Sequence, residues 1–285
     1  MIHRRTFVLG AAGSAALAGG LARRSPSSAA VSQLGAMMTT DATPSSVTGS
    51  PTIVLVHGAF ADASCFRDLY DALLGNDVKI IAPPNPLRGV SGGDGEYLLS
   101  VIAEIDGPVL LVGHSYGGSV ITAAGTADNV VGLVYIAGFA PDEGETLTDL
   151  QANFPPPAIL PYIVQHELPD GNGEFTLAPE GFHETFCADI PADDAAFYAI
   201  SQRPLAGIAL AEPAPAPAWR SRPVWGVLPT ADRTIDPGVH RFSYDRMGAT
   251  VTEIEGASHV VMISHPEEVA EVVMAAVHAA AMQPA

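Results

Sequence analysis

Six β-rich runs of four to eight residues punctuate the chain, and the stretches between them constrain the fold more than any other feature. They are Ile53–Val56, Val78–Ala82, Val109–Val112, Val130–Ala137, Pro223–Leu228 and Thr250–Ile254. Most are apolar throughout. Strands of a parallel sheet are covered by helices on both faces, so they read as continuous apolar runs rather than alternating ones. Helix-like stretches separate these runs. Ala63–Leu74 places Phe66, Leu69, Tyr70 and Leu73 at three- and four-residue spacing. Asp94–Ile105 and Tyr116–Ala127 are similar, and Pro266–Met282 opens with Pro-Glu-Glu, which suits a first helical turn. This alternation predicts an α/β domain over residues 51–282, built on a doubly wound, mostly parallel sheet.

Residues 141–222 break the rhythm. They show no clear strand pattern and several short helical pieces, punctuated by Pro155-Pro156-Pro157 and by Pro213, Pro215 and Pro217. A long segment inserted between two strands of such a sheet predicts a helical cap over the ligand site. Leu147, Phe154, Ile159, Leu160, Tyr162, Phe182, Phe186 and Phe197 would supply its apolar side.

Composition narrows the partners. Hydrophobic residues make up 48% of the chain and charged residues 15%, so a large interior can be buried. The net charge is −18 and Lys79 is the single lysine, which argues against nucleic acid, because a phosphate backbone wants clustered Lys and Arg. No His-Glu-x-x-His or paired-cysteine pattern points to a metal. Ser91–Gly95 is glycine-rich but lacks the Lys-Ser/Thr of a phosphate loop and reads as a loop.

The N-terminus reads as targeting. Arg4-Arg5 precedes a mildly apolar run, Phe7 to Ala22, which is short for a membrane span; Arg23-Arg24 and the small residues Ser28-Ala29-Ala30 follow. Residues 1–30 therefore predict a twin-arginine export signal, and residues 31–50 a flexible leader. Cleavage would take the net charge from −18 to −22, since residues 1–30 hold four arginines and no acid. The expectation is an exported protein, periplasmic or extracellular, with no stable membrane insertion after cleavage. Cys65 and Cys187 are expected as two buried thiols, because a twin-arginine substrate folds before export in a reducing cytosol. The oligomeric state is left open.

Gly113-His114-Ser115-Tyr116-Gly117 matches Gly-x-Ser-x-Gly between a strand and a helix start, the context of a nucleophile elbow. A serine needs a base. Of nine histidines, His259 has the right order and context: Gly256-Ala257-Ser258-His259 follows the last strand and precedes the last helix. His57 and His114 read as parts of turn motifs, His166 and His183 as cap residues, and His240, His265 and His278 as surface or helix positions. Asp232, just past Val224–Leu228, is favoured as the orienting acid, with Asp236 as its competitor. Asp236 precedes Pro237 and suits a helix N-cap. Two backbone N–H groups are needed for an oxyanion, and those of Tyr116 and of Ala59 in His57-Gly58-Ala59-Phe60 are the candidates.

Together His57-Gly58-Ala59-Phe60-Ala61-Asp62-Ala63, Gly113-His114-Ser115-Tyr116-Gly117-Gly118, Asp232 and Ala257-Ser258-His259 resemble the α/β-hydrolase superfamily. The likeness is to bacterial carboxylesterases related to the plant methylesterase and hydroxynitrile lyase group. The cap segments Phe186-Cys187-Ala188-Asp189-Ile190-Pro191 and Gln202-Arg203-Pro204-Leu205 share it, so it runs from about Thr52 to Val277. The resemblance implies cofactor-free hydrolysis of a carboxylic ester by an acyl-enzyme route, and the apolar cap residues point to a small or medium apolar ester. Ser115 would be the nucleophile, His259 the base, Asp232 the orienting acid, and Ala59 with Tyr116 the oxyanion donors. Val260 and Ala59 stand where the plant lyases carry lysine and threonine, which disfavours lyase chemistry. Cofactor-free haloperoxidases share the elbow, which leaves perhydrolase chemistry open. A ligand-binding protein on the same scaffold is the remaining alternative.

Overall fold

The computed structural model describes residues 49–169 and 171–282. The expected export signal, and the expected leader up to residue 48, lie outside the described residues. In chain order the first half runs β1 (Thr52–Val56), α1 (Arg67–Leu73), β2 (Ile80–Ile81), α2 (Gly95–Ala103), β3 (Val109–His114), α3 (Tyr116–Ala124) and β4 (Val130–Ile136). An excursion follows with α4 (Leu147–Ala152), β5 (Ile163–Glu167), β6 (Gly173–Leu177), α5 (Pro179–Phe186), α6 (Ala192–Ser201), β7 (Leu205–Ala206) and α7 (Ile208–Ala211). The chain returns as β8 (Val224–Pro229), α8 (Pro237–Met247), β9 (Thr250–Ile254), α9 (Val261–Ser264) and α10 (Pro266–Ala281).

Six strands form one sheet in the order β2-β1-β3-β4-β8-β9, and every neighbouring pair is parallel. The apolar runs dictate which strands are central. All residues of β1, β3 and β8 are buried, whereas β9 at one edge exposes Thr250, Val251 and Glu253. At the other edge only Ile80 and Ile81 of the expected run Val78–Ala82 pair with β1. Pro83 and Pro84 follow, and proline cannot donate to a ladder.

The strand order reverses direction between β1 and β3. With right-handed crossovers, that reversal puts α1 on one face and α2 and α3 on the other. Accordingly α1 packs against α10, and α2 against α3. The register aligns the strand ends: Val56 lies opposite Gly113, Gly113 opposite Tyr135, and Pro229 opposite Ile254. The loops after β1, β3, β4, β8 and β9 therefore leave the same edge of the sheet, where open α/β sheets hold their ligands.

The inserted segment departs from the helical cap expected of residues 141–222. Alongside α4 to α7 it holds an antiparallel sheet in the order β5-β6-β7. Sequence periodicity missed it because β5 is largely solvent-facing and β6 mostly half-buried: Val164 to Glu167 are exposed, and Leu177 alone of β6 is fully buried. Such strands carry no apolar run. Pro169-Asp170-Gly171 between them was the available turn signal. The hairpin closes with the Leu168 amide donating to the Asn172 carbonyl at 2.7 Å. Among the described residues, no helix is long and apolar enough to cross a membrane. Cys65 and Cys187 are buried free thiols, and burial pushes the Cys187 thiol up to about 12.

Candidate active site

Ser115 sits between β3 and α3 with φ 54° and ψ −124°, a backbone conformation rarely adopted by a side-chain-bearing residue. Hydrogen bonds on both sides hold it there. Its amide donates to the Ile136 carbonyl at 3.1 Å, and its carbonyl accepts from the amides of Gly118 at 2.9 Å and Phe139 at 3.0 Å. The turn is tight enough that a Cβ at Gly117 would collide with the Val56 carbonyl oxygen. A Cβ at Gly58 would come within 2.5 Å of Ser115 Cβ and 3.1 Å of its Oγ. The loop after β1 thus lies directly against the serine. Ala59 and Tyr116, the residues whose amides were read as oxyanion donors, line the same cavity as Ser115. Tyr116 opens α3, so its N–H has no acceptor within the helix.

The structure brings Asp232 and His259 together. Nδ1–H of His259 donates to Oδ2 of Asp232 at 2.7 Å, and both side chains are fully buried. Oδ1 of Asp232 accepts from the amides of Thr234 at 2.8 Å and Ile235 at 3.0 Å. Burial alone would push this carboxyl up. The neighbouring imidazoles of His259 and His240 outweigh it and hold Asp232 below the ordinary carboxylate range. Asp236, the competitor, instead caps α8, accepting from the Gly238 amide at 2.8 Å.

His259 is tied to the elbow through His114, the residue before Ser115. Nε2–H of His114 donates to the His259 carbonyl at 3.0 Å, and the two rings lie 4.7 Å apart. Burial, and then the nearby His259, depress His114 well below the ordinary histidine range. With Nδ1 of His259 committed to Asp232, its Nε2 is left buried and without a hydrogen bond among the described residues. A neutral imidazole so arranged keeps that nitrogen as a proton acceptor.

A cavity of about 790 Å³ opens onto Ser115. Phe60 and Phe139 of the core face it, with Leu147, Phe154, Ile159 and Leu160 from the cap. The other cap residues expected to form the lid divide. Phe186 meets the ring of His259 edge-on with centroids 5.1 Å apart, Phe182 is buried beside it, and Phe197 is 59% exposed.

Three residues escaped sequence reading. His240, taken for a surface or helix position, does lie on a helix, but it is fully buried, and its Nε2–H donates to Oδ2 of Asp232 at 3.1 Å. Asp189 of the cap accepts from both the amide of Ser258, at 2.7 Å, and its hydroxyl, and so grips the loop that carries His259. Asp94 accepts from the Tyr116 hydroxyl. A single buried histidine or aspartate leaves no local pattern; the turn of helix between Asp236 and His240 was the only available hint.

Comparison with known proteins agrees with this architecture. A family model described as the alpha/beta hydrolase family matches residues 53–272. A carbendazim hydrolyzing esterase from Nocardioides sp. is 35% identical over 155 residues, or 49% of this chain and 60% of that protein. A pyrethroid hydrolase from Sphingobium wenxiniae is 26% identical over 159 residues, or 50% of this chain and 56% of that protein. The chain thus spans less than two thirds of either relative. Among solved structures, polyneuridine aldehyde esterase superposes with a TM-score of 0.68 at 22% identity, covering 80% of this chain and 99% of its own. An extracellular α/β-hydrolase from a Paenibacillus species gives 0.63 at 21% identity, covering 79% and 98%. Both structural likenesses show the fold, and with the family model spanning residues 53–272, this chain belongs to the alpha/beta hydrolase family.

Proposed function

We propose that the protein hydrolyses carboxylic esters through an acyl-enzyme on Ser115. The observation that carries this reading is the buried Asp232–His259 contact of 2.7 Å, which leaves Nε2 of His259 bare at the sheet edge of the Ser115 elbow. His259 takes the Ser115 proton as Oγ attacks the carbonyl carbon. Asp232 stabilises the imidazolium that forms. The amides of Ala59 and Tyr116 hold the developing oxyanion, each such donor being typically worth ~3–4 kcal/mol of barrier. The imidazolium returns its proton to the departing alkoxide, and the alcohol leaves. Water, deprotonated by His259 in turn, then frees the acid and restores Ser115.

The apolar cavity supports esters with a sizeable hydrocarbon or aromatic part. The activities named for the two relatives, on carbendazim and on pyrethroids, make those compounds sensible substrates to assay beside a ladder of p-nitrophenyl esters. Ser115→Ala should lower kcat by about 10⁴-fold or more, and a fluorophosphonate should label the native protein once, on Ser115. Turnover that survives in Ser115→Ala would sink the proposal.

The paired arginines Arg4-Arg5 ahead of an apolar run support export by the twin-arginine route. Cell fractionation should find the native chain outside the cytoplasm and the Arg4→Lys/Arg5→Lys chain retained within it. Equal export of both would remove that reading.

A further inference from the structure

We infer that His240 is a positioning residue for the base, sharing one oxygen of Asp232 with His259. The inference rests on the reading of Ser115, Asp232 and His259 as a triad. The geometry is specific. Oδ1 of Asp232 is engaged by the Thr234 and Ile235 amides, so both imidazoles meet at Oδ2, His259 at 2.7 Å and His240 at 3.1 Å. An ionised carboxylate only accepts, so each ring must donate an N–H to it. His240 thereby uses Nε2–H. Its Nδ1 is buried and makes no hydrogen bond among the described residues. A second proton there would be a buried donor without an acceptor, which is expensive, so Nε2–H is the contact through which His240 acts. His240 therefore acts as a fixed donor rather than as a second base.

Two consequences follow for His259. First, Oδ2 is held by a donor on α8 that takes no part in the proton transfer, which keeps the carboxylate aimed at the working imidazole. Second, part of the charge on Oδ2 is spent on His240, so Asp232 stabilises the His259 imidazolium less than an unshared carboxylate would. The other titratable groups around this pair come from several elements. His114 of β3 lies against His259, with His57 beyond it; Tyr244 of α8 stacks 5.7 Å from His240 and against Tyr135 of β4; Asp189 of the cap grips Ser258.

The test compares His240→Leu, which removes the N–H, with His240→Gln, whose amide restores one. The readouts are kcat/KM for a p-nitrophenyl ester and the rate of fluorophosphonate labelling, each followed from pH 4.5 to 9, with Ser115→Ala alongside. In His240→Leu the plateau should fall about tenfold and the acid limb should move up by roughly 0.5–1 pH unit. His240→Gln should bring the limb back to near its native position. A folded His240→Leu protein with the native limb would overturn the inference and make His240 a packing residue. Should His240→Leu fail to fold, ¹⁵N shifts of the native ring decide: Nε2 protonated and Nδ1 bare across the active pH range is the expected result, and a doubly protonated ring overturns the inference. Turnover in Ser115→Ala would instead strike at the triad itself, an outcome separate from either.

Discussion

The hydroxyl of Tyr116 donates to Oδ2 of Asp94 at 2.7 Å, and Asp94 in turn accepts from the amides of Arg88 and Gly89. One residue thus serves the elbow twice: its amide opens α3 beside Ser115, and its ring is pinned from behind by a buried carboxylate. The pinning loop is itself laced to the cap. Arg88 pairs with Glu174 at 2.9 Å, and the Ala206 amide donates to the Leu87 carbonyl at 2.9 Å. Burial pushes both Asp94 and Tyr116 up, so the proton between them is retained as a strong hydrogen bond. Tyr116→Phe should cost about 1.5–3 kcal/mol of stability, the range for a buried bond to a charged group. The amide survives the change, so kcat should fall less than ~10-fold. Urea denaturation and ester kinetics check both halves, and native stability in the variant would contradict the assignment.

Asp189 joins the cap to the loop that carries His259. Its carboxylate holds the backbone and the hydroxyl of Ser258, one residue before His259. Asp189→Ala should lower kcat by about 10- to 100-fold, because a base displaced by even ~1 Å loses its productive geometry. Hydrogen exchange at residues 257–260 should accelerate in the same variant. Exchange unchanged from the native protein would show that the loop needs no such grip.

Stability should fall in mild acid. Burial holds His57 and His114 below the ordinary histidine range, so both are neutral when folded. The unfolded chain takes up a proton at each below about pH 6.5. The depressed groups therefore contribute fully above that pH, and their contribution is lost as pH falls through the window beneath it. Each histidine can remove up to about 1.4 kcal/mol per pH unit there. Urea denaturation at pH 7.5, 6.5 and 5.5 should trace the decline, and His114→Gln should remove about half of the slope. A flat profile over this range would exclude the effect.

Under the proposed function, the cavity bounds the substrate size. Leu147 enters it from α4 of the cap. Leu147→Trp fills part of about 790 Å³ and should shift the preference among p-nitrophenyl esters toward shorter acyl chains. The change in kcat/KM ratio between long and short esters should be about 10-fold or more. An unaltered ratio would place the acyl group elsewhere.

Much of this protein was legible in local pattern. The runs at Ile53–Val56 and Val109–Val112 are continuous because a central strand is buried on both faces, and that fact needs no knowledge of its neighbours. The turn at Ser115, the places of Asp232 and His259 in loops that end strands, and the N-cap role of Asp236 also follow from short-range constraints: which residues fit a strained turn, which loop ends a strand, which side chain reaches its own helix. Tertiary structure alone decided the rest. In the cap sheet β5 is exposed from Val164 to Glu167, β6 is mostly half-buried and β7 is two residues long, so none carries an apolar run. His240 reads as an ordinary helical histidine until α8 packs on β8 and carries it inward to Asp232, eight residues before it. Asp189 reaches Ser258 across 69 residues, and Asp94 reaches Tyr116 across 22. A sequence displays periodicity and turn chemistry because these act between near neighbours, whereas a buried carboxylate acquires its partner only when distant elements close around it.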